Sequence, residues 1–175
     1  MLFNSGSFLA AFALFSIAYY ASAHRVRWML LLAASLAFYA TFDVRYVPLL
    51  IFVTAVAYAG GVAVERAGSS GGGRTFCLAA VAVIVAVLVT VKYIQAPAAL
   101  AGLSFYTFSC ISYLVDVYVR RIPAERHAGY FAVYVSFFPK LLAGPIERAQ
   151  PFLSRLREPV RFSSAAATSG LQLFL

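Results

Sequence analysis

Charge is what this sequence has least of: 11% of its 175 residues are Asp, Glu, Lys or Arg, and six are acidic. A soluble domain carries about a quarter of its residues charged and roughly half apolar. A chain that is 63% hydrophobic is not composed to fold against water. Histidine and cysteine are also scarce, two of each. Cys77 and Cys110 both fall in apolar runs, where a thiol behaves as a small hydrophobe, so no disulfide is implied, and no His or Cys cluster has metal-ligand spacing. His24 in "AHRVR" and His127 in "AERHAG" stand in polar connections without a partner carboxylate in a cleft, and read as solvated interfacial side chains. A phosphate loop is missing too, since "SGGGR" has neither a strand before it nor a Lys-Ser/Thr after it. The N-terminus lacks the basic n-region of a signal peptide, and "AYYASA" (Ala18–Ala23) only weakly imitates a cleavage site, so the first segment reads as a retained span. Strand alternation is absent from "FCLAAVAVIVAVLVTV" (Phe76–Val91), which excludes a β-barrel reading.

What is abundant is long uncharged runs: Met1–Ala23, Trp28–Phe42, Tyr46–Val64, Thr75–Val91 and Tyr93–Val115. A helix rises ~1.5 Å per residue and a hydrocarbon core is ~30 Å thick, so a span needs roughly 17–25 residues. The expectation is an all-α polytopic membrane protein with spans near 5–23, 28–43, 46–64, 75–92 and 98–119. The net charge of +8 is dispersed between these runs, unlike the clustered footprint of a nucleic-acid binder. Arg25, Arg27, Arg66, Arg74, Arg120, Arg121 and Arg126 fall in one set of alternate connections, against Arg45 and Lys92 in the other. The positive-inside rule then puts the N-terminus outside and the 24–27, 65–74 and 120–127 connections in the cytoplasm. Tyr19, Tyr20, Trp28, Tyr39, Tyr46, Tyr93 and Tyr118 near the run ends suit the headgroup layer.

Between the runs, "AGSSGGGR" (Ala67–Arg74) reads as a flexible connection without a packed element. In "YFAVYVSFFPKLLAGPI" (Tyr130–Ile146) the ring of Pro139, the charge of Lys140 and the Gly144-Pro145 stop predict a broken helical element over 128–146, a helix pair or re-entrant piece. Residues 147–162 interleave Arg148, Arg155, Arg157 and Arg161 with apolar side chains, which fits either an amphipathic segment on an anionic leaflet or a solvated basic loop. Residues 163–175 turn apolar and stop short of a span, so the expectation is a truncated helix and the N-terminal part of a larger protein.

One run carries polar cargo. In "GLSFYTFSCISYLVDVYVRR" (Gly102–Arg121), at ~100° per residue, Tyr106, Ser109, Ser112, Tyr113, Asp116 and Arg120 gather on about a third of the circumference, with Leu103, Ile111, Leu114, Val115 and Val117 on the rest. Such a stripe must face other helices or a water-filled cavity, because an acid left in hydrocarbon costs several kcal/mol, on the order of 3 or more. Asp116 stands four residues before Arg120, the spacing of an ion pair at the membrane edge. The stripe therefore reads as structural or channel-lining, and no assembled catalytic set is visible.

These residues also carry a resemblance. Gly102–Phe108, Ser112-Tyr113, Asp116–Tyr118, Ser136–Pro139 and Ala143–Ile146, in this order, together with "MLFNSGSFL" and Ser35–Ile51, resemble the bacterial membrane-bound O-acyltransferases, in particular the alginate O-acetyltransferase subgroup and more distantly the D-alanyl transfer protein of teichoic acid synthesis. The resemblance implies a ring of tilted helices around a channel in the bacterial inner membrane. It implies transfer of an acyl group, acetyl above all, from a thioester donor (acetyl-CoA or an acyl carrier protein) to hydroxyls of an exported polysaccharide. Partners would be polysaccharide-acetylation proteins on the outer side. Pro139, Gly144 and Pro145 join the stripe as channel-lining or structural candidates. The family's catalytic His lies on a later helix, so neither His24 nor His127 matches it, and Ser169–Leu175 looks like the start of the helix before it. The expectation is a chain inactive alone. Its alternatives are a non-enzymatic accessory protein or gene remnant, and a small transporter, against which stands the lack of an internal repeat.

Overall fold

The structure, a computed structural model, describes residues 6–68, 71–94, 102–143 and 147–158. All regular structure among the described residues is helical. The elements run α1 (Gly6–Ala21), α2 (His24–Asp43), a 3₁₀ turn (Val44–Tyr46), α3 (Val47–Ala67), α4 (Gly71–Ile94), α5 (Leu103–Tyr118), α6 (Ala128–Ser136), α7 (Phe138–Ala143) and α8 (Ala149–Arg157). Val44–Ala67 and Gly71–Tyr93 are each long and apolar enough to cross a membrane, with mean hydropathies of 2.2 and 2.5. With a composition so poor in charge, this is an all-α membrane protein.

The bundle is organised around α3. Its buried residues Leu50, Val53, Ala57, Gly61 and Val64 recur every three or four positions as one stripe, while Ile51 and Phe52 face outward. That stripe packs on α4 and α5, which also pack on each other. Lipid tails are as apolar as leucine, so burial of greasy surface does not by itself hold such helices together; close fit of small residues does. The Gly60-Gly61 pair supplies it. A Cβ at Gly60 would lie 2.8 Å from the Ala80 Cβ of α4, and one at Gly61 would lie 2.6 Å from Tyr113 Cε1 of α5. The outward face of α4 keeps Phe76, Leu78, Val83, Val89 and Tyr93 exposed.

The glycine run departs from the expected flexible connection. Gly71, Gly72 and Gly73 form the first turn of α4, and Gly73 is buried against the end of α3. A Cβ there would fall 2.1 Å from the Gly68 carbonyl oxygen, so position 73 is glycine because two backbones meet, with Gly68 turning the chain at φ +66°.

Helices α2, α6 and α7 form a second layer. Gly129 gives way to the Trp28 ring, whose atoms come within 2.2 Å of where a Cβ would be. The break expected near Pro139 falls at Phe137, whose ψ of 110° ends α6 so that Pro139 enters α7 in its first turn, where a missing N–H is harmless. The Phe138 N–H, freed by this break, donates to Ser35 Oγ of α2 at 3.2 Å. Helix α8 buries Ala149 and Leu153 against α6 and leaves Arg155 and Arg157 exposed, so its apolar side is turned to the protein. Gly144, Pro145, the segment after Glu158 with Arg161, and the expected helix over 163–175 lie outside the described residues.

Candidate functional site

The stripe on α5 points inward. Tyr106, Ser109, Tyr113 and Asp116 are buried, Ser112 is half-buried and Arg120 is exposed past the helix end, while Phe105, Phe108, Val115 and Tyr118 look out. Hydroxyls in an apolar setting need partners, and two find them. Ser109 Oγ donates to its own helix at Phe105 O (2.9 Å), and the Tyr113 hydroxyl, passing over Gly61, accepts the Glu125 N–H at 3.0 Å. Tyr106 lies edge-on to Tyr39, centroids 6.3 Å apart, and its hydroxyl and that of the neighbouring Thr107 are buried without a hydrogen-bond partner.

At its C-terminal end the stripe meets a charged lattice, and here the structure corrects the expected pair. Asp116 Oδ1 is held by Arg121 Nη1 at 3.3 Å and approached by Arg148 Nη1 at 3.9 Å, and it is these two arginines that face it. The i to i+4 spacing to Arg120 fails because α5 ends at Tyr118. Arg121 N–H bonds to Asp116 O (2.9 Å) and Arg120 N–H to Val117 O (3.1 Å), the reversal in which the residue after the cap is left-handed. That residue is Arg120, at φ 59°.

The 119–127 connection is then pinned from both sides. Glu65 of α3 accepts the Ala124 N–H at 2.8 Å and pairs with Arg126, and Tyr58 donates to Arg126 O at 2.8 Å. Glu125, 3% exposed, accepts the His127 N–H at 2.9 Å and pairs with Arg157 of α8. Both histidines are engaged in structure. His127 Nδ1 accepts the Tyr130 N–H at 3.2 Å as the cap of α6, with its ring stacked on Tyr130, and His24 Nε2 lies 3.1 Å from Arg157 O. Between the ends of α3 and α5 opens a cleft of about 280 Å³ with Glu65, Arg120 and Arg121 on its rim.

Pro139 is exposed on α7, apart from the α5 stripe, and its neighbour Lys140 is buried instead. Sequence reasoning missed Glu65, Glu125, Tyr134 and Lys140. An acid beside arginines in a polar connection looks solvated, and only the fold reveals that Glu125 is closed over by α8. Lys140 did carry a signal, a lone cation inside an apolar run.

No family model matches the chain, and no solved structure matches it. Curated relatives do. A "probable alginate O-acetylase AlgI" of Pseudomonas syringae pv. tomato is 35% identical over 193 residues, covering 95% of this chain and 37% of that protein. The protein of the same name from Pseudomonas fluorescens is 37% identical over 176 residues, 93% of this chain and 35% of its own length. That of Pseudomonas aeruginosa is 35% identical over 171 residues, 85% and 33%. The chain spans about a third of the length of the curated relatives it matches. The motif run on α5 and the α6–α7 break thus lie in a chain that is similar, along most of its own length, to about a third of proteins named as probable alginate O-acetylases.

Proposed function

We propose that this chain forms part of the wall of a membrane acyltransferase that passes an acyl group, of the acetyl class, to hydroxyls of an exported polysaccharide such as alginate. The observation that carries the reading is the coincidence of two facts. The relatives named for alginate O-acetylation align over 85–95% of the chain, and the helix with the motif run turns its polar side chains into the protein. The donor is a thioester, acetyl-CoA or an acyl carrier protein, meeting the chain at its arginine-rich end on the cytoplasmic side. The acceptor and its acetylation partners lie on the outer side of a bacterial inner membrane, with the N-terminus outside.

Transfer from a thioester to a hydroxyl needs a base to raise the nucleophilicity of the acceptor oxygen. Neither histidine here is placed for that, since one caps α6 and the other binds a backbone carbonyl. This chain therefore contributes positioning and enclosure, and the base comes from elsewhere. The test is acetyl transfer in liposomes from a labelled acetyl thioester to polymannuronate. The chain alone is expected to give none, and a chimera continuing it with the remaining two-thirds of a Pseudomonas relative is expected to give transfer. Activity of the chain alone would overturn its non-catalytic role, and an inactive, folded chimera would overturn the acyltransferase reading.

A further inference from the structure

Among the described residues three side-chain polar atoms are buried with no hydrogen-bond partner: Tyr106 OH, Thr107 Oγ1 and Lys140 Nζ. A lone hydroxyl is a modest anomaly. A buried ammonium is a larger one, because it surrenders water from three N–H donors and carries a full charge. Lys140, 8% exposed on α7, rests against two ring faces: Nζ is 3.9 Å from the Tyr134 centroid and 5.1 Å from that of Phe152. Rings attract a cation but accept no directional hydrogen bond in place of water.

The cage is fixed in place. The Tyr134 hydroxyl reaches Ser109 O of α5 at 3.4 Å and Glu147 O at 3.2 Å, so its ring is tethered at the far end. Phe152 packs on Tyr134 and on Phe137, centroids 5.6 and 5.1 Å apart, which ties the other face to α8 and to the α6–α7 break. Two titratable groups lie within electrostatic reach, the buried Cys110 thiol of α5 and Glu147, whose carboxylate is turned to Arg155 at 3.8 Å. The junction of α5, α6, α7 and α8 thus holds a dehydrated cation whose donors point at no acceptor and whose walls are aromatic.

We propose that Lys140 Nζ is a binding group for the oxygen of a short acyl group, a carboxylate or a polarised carbonyl, with the apolar end of the group lying on the Tyr134 and Phe152 rings. One cation between two ring faces matches one charged or polarised oxygen on a small apolar body, whereas a phosphate dianion taken out of water calls for a second cation. The choice of an acyl group rests on the acyltransferase reading, but the binding is measurable where no transfer occurs.

The experiment uses the 175-residue chain in nanodiscs of zwitterionic lipid, titrated with ¹³C-acetate and followed by ligand NMR. Saturable acetate binding is expected, weakened about tenfold or more in Lys140→Met, which keeps the length of the side chain and loses its charge. Lys92→Met, an exposed lysine at the opposite end of the molecule, should bind as the parent does. The melting temperature of Lys140→Met should equal or exceed that of the parent, since an unpaired buried charge is removed. A reading independent of any variant is the ¹⁵N ammonium signal of Lys140, which should shift with acetate. Absence of saturable binding, equal binding by Lys140→Met, an unmoved Lys140 signal, or binding of inorganic phosphate in place of acetate would each overturn the proposal. None of these bears on whether the chimera transfers acetyl groups, so the two readings fail separately.

Discussion

Arg120 sits in the left-handed backbone region, which costs a residue with a Cβ roughly 1–2 kcal/mol that glycine avoids. Arg120→Gly is therefore expected to raise stability by about 1 kcal/mol, read as a higher midpoint of thermal denaturation in detergent. A lower midpoint would mean that the contacts of the guanidinium outweigh the strain. Gly61 is the opposite case. Its missing side chain is the space through which Tyr113 reaches Glu125, so Gly61→Ala must displace a buried ring and is expected to cost about 1–3 kcal/mol in the same assay.

At the scale of elements, the α2–α3 elbow and the α8 clasp are each held by one acid. Asp43 accepts the Arg45 N–H at 2.9 Å and grips its guanidinium through Nε at 3.0 Å and Nη2 at 2.8 Å. These hydrogen bonds to Arg45 hold the carboxyl below its ordinary value of 3.8. A depressed value in the folded state means that the contribution is present above pH 3.8 and is lost as pH falls through the lower, folded value. Amide exchange across Val44–Tyr46 should accelerate in that window, and Asp43→Asn should remove the pH dependence. At the clasp, Glu125→Ala leaves the His127 N–H and the Arg157 guanidinium without their acceptor, at a cost of about 1–3 kcal/mol. Exchange should quicken in α8 and at the start of α6 while α3 and α4 hold; protection unchanged in α8 would sink the clasp.

The inward direction of the α5 stripe was legible in the sequence because polar side chains at helical spacing in an apolar run admit few solutions. So was the break near Pro139, which depends on covalent geometry. The partner of Asp116 was not, since spacing rules assume that the helix continues, and it stops two residues before Arg120. Nor was the packing of "GGGR" at the start of α4, because flexibility and close backbone approach leave the same glycine signature. Glu125 was hidden for a third reason: the arginine that pairs with it stands on α8, 32 residues further along the chain.

For the whole molecule, the arginines mark one end. Helices α2, α4 and α6 begin there and α3 and α5 finish there, with Arg25, Arg66, Arg126 and Arg155 all around it. A chain with its N-terminus outside keeps that end in the cytoplasm. Ser154→Cys, on the exposed side of α8, should then resist an impermeant thiol reagent in intact cells and react after permeabilisation, with Cys77 and Cys110 buried and silent. Labelling of intact cells would reverse the topology.

The glycine contact between Gly68 and Gly73 also bears on the order of assembly. It brings the end of α3 against the start of α4, two helices each long and apolar enough to span and each pairing its interior backbone groups within itself, so this pair needs little from the rest of the chain to enter a bilayer. Helix α5 cannot do so on equal terms: Tyr113 and Asp116 find these partners in the 119–127 connection and in Arg148, the residue before α8. The pair is thus expected to settle in the membrane first, and α5 to settle after the arginines that follow it in the chain have been made.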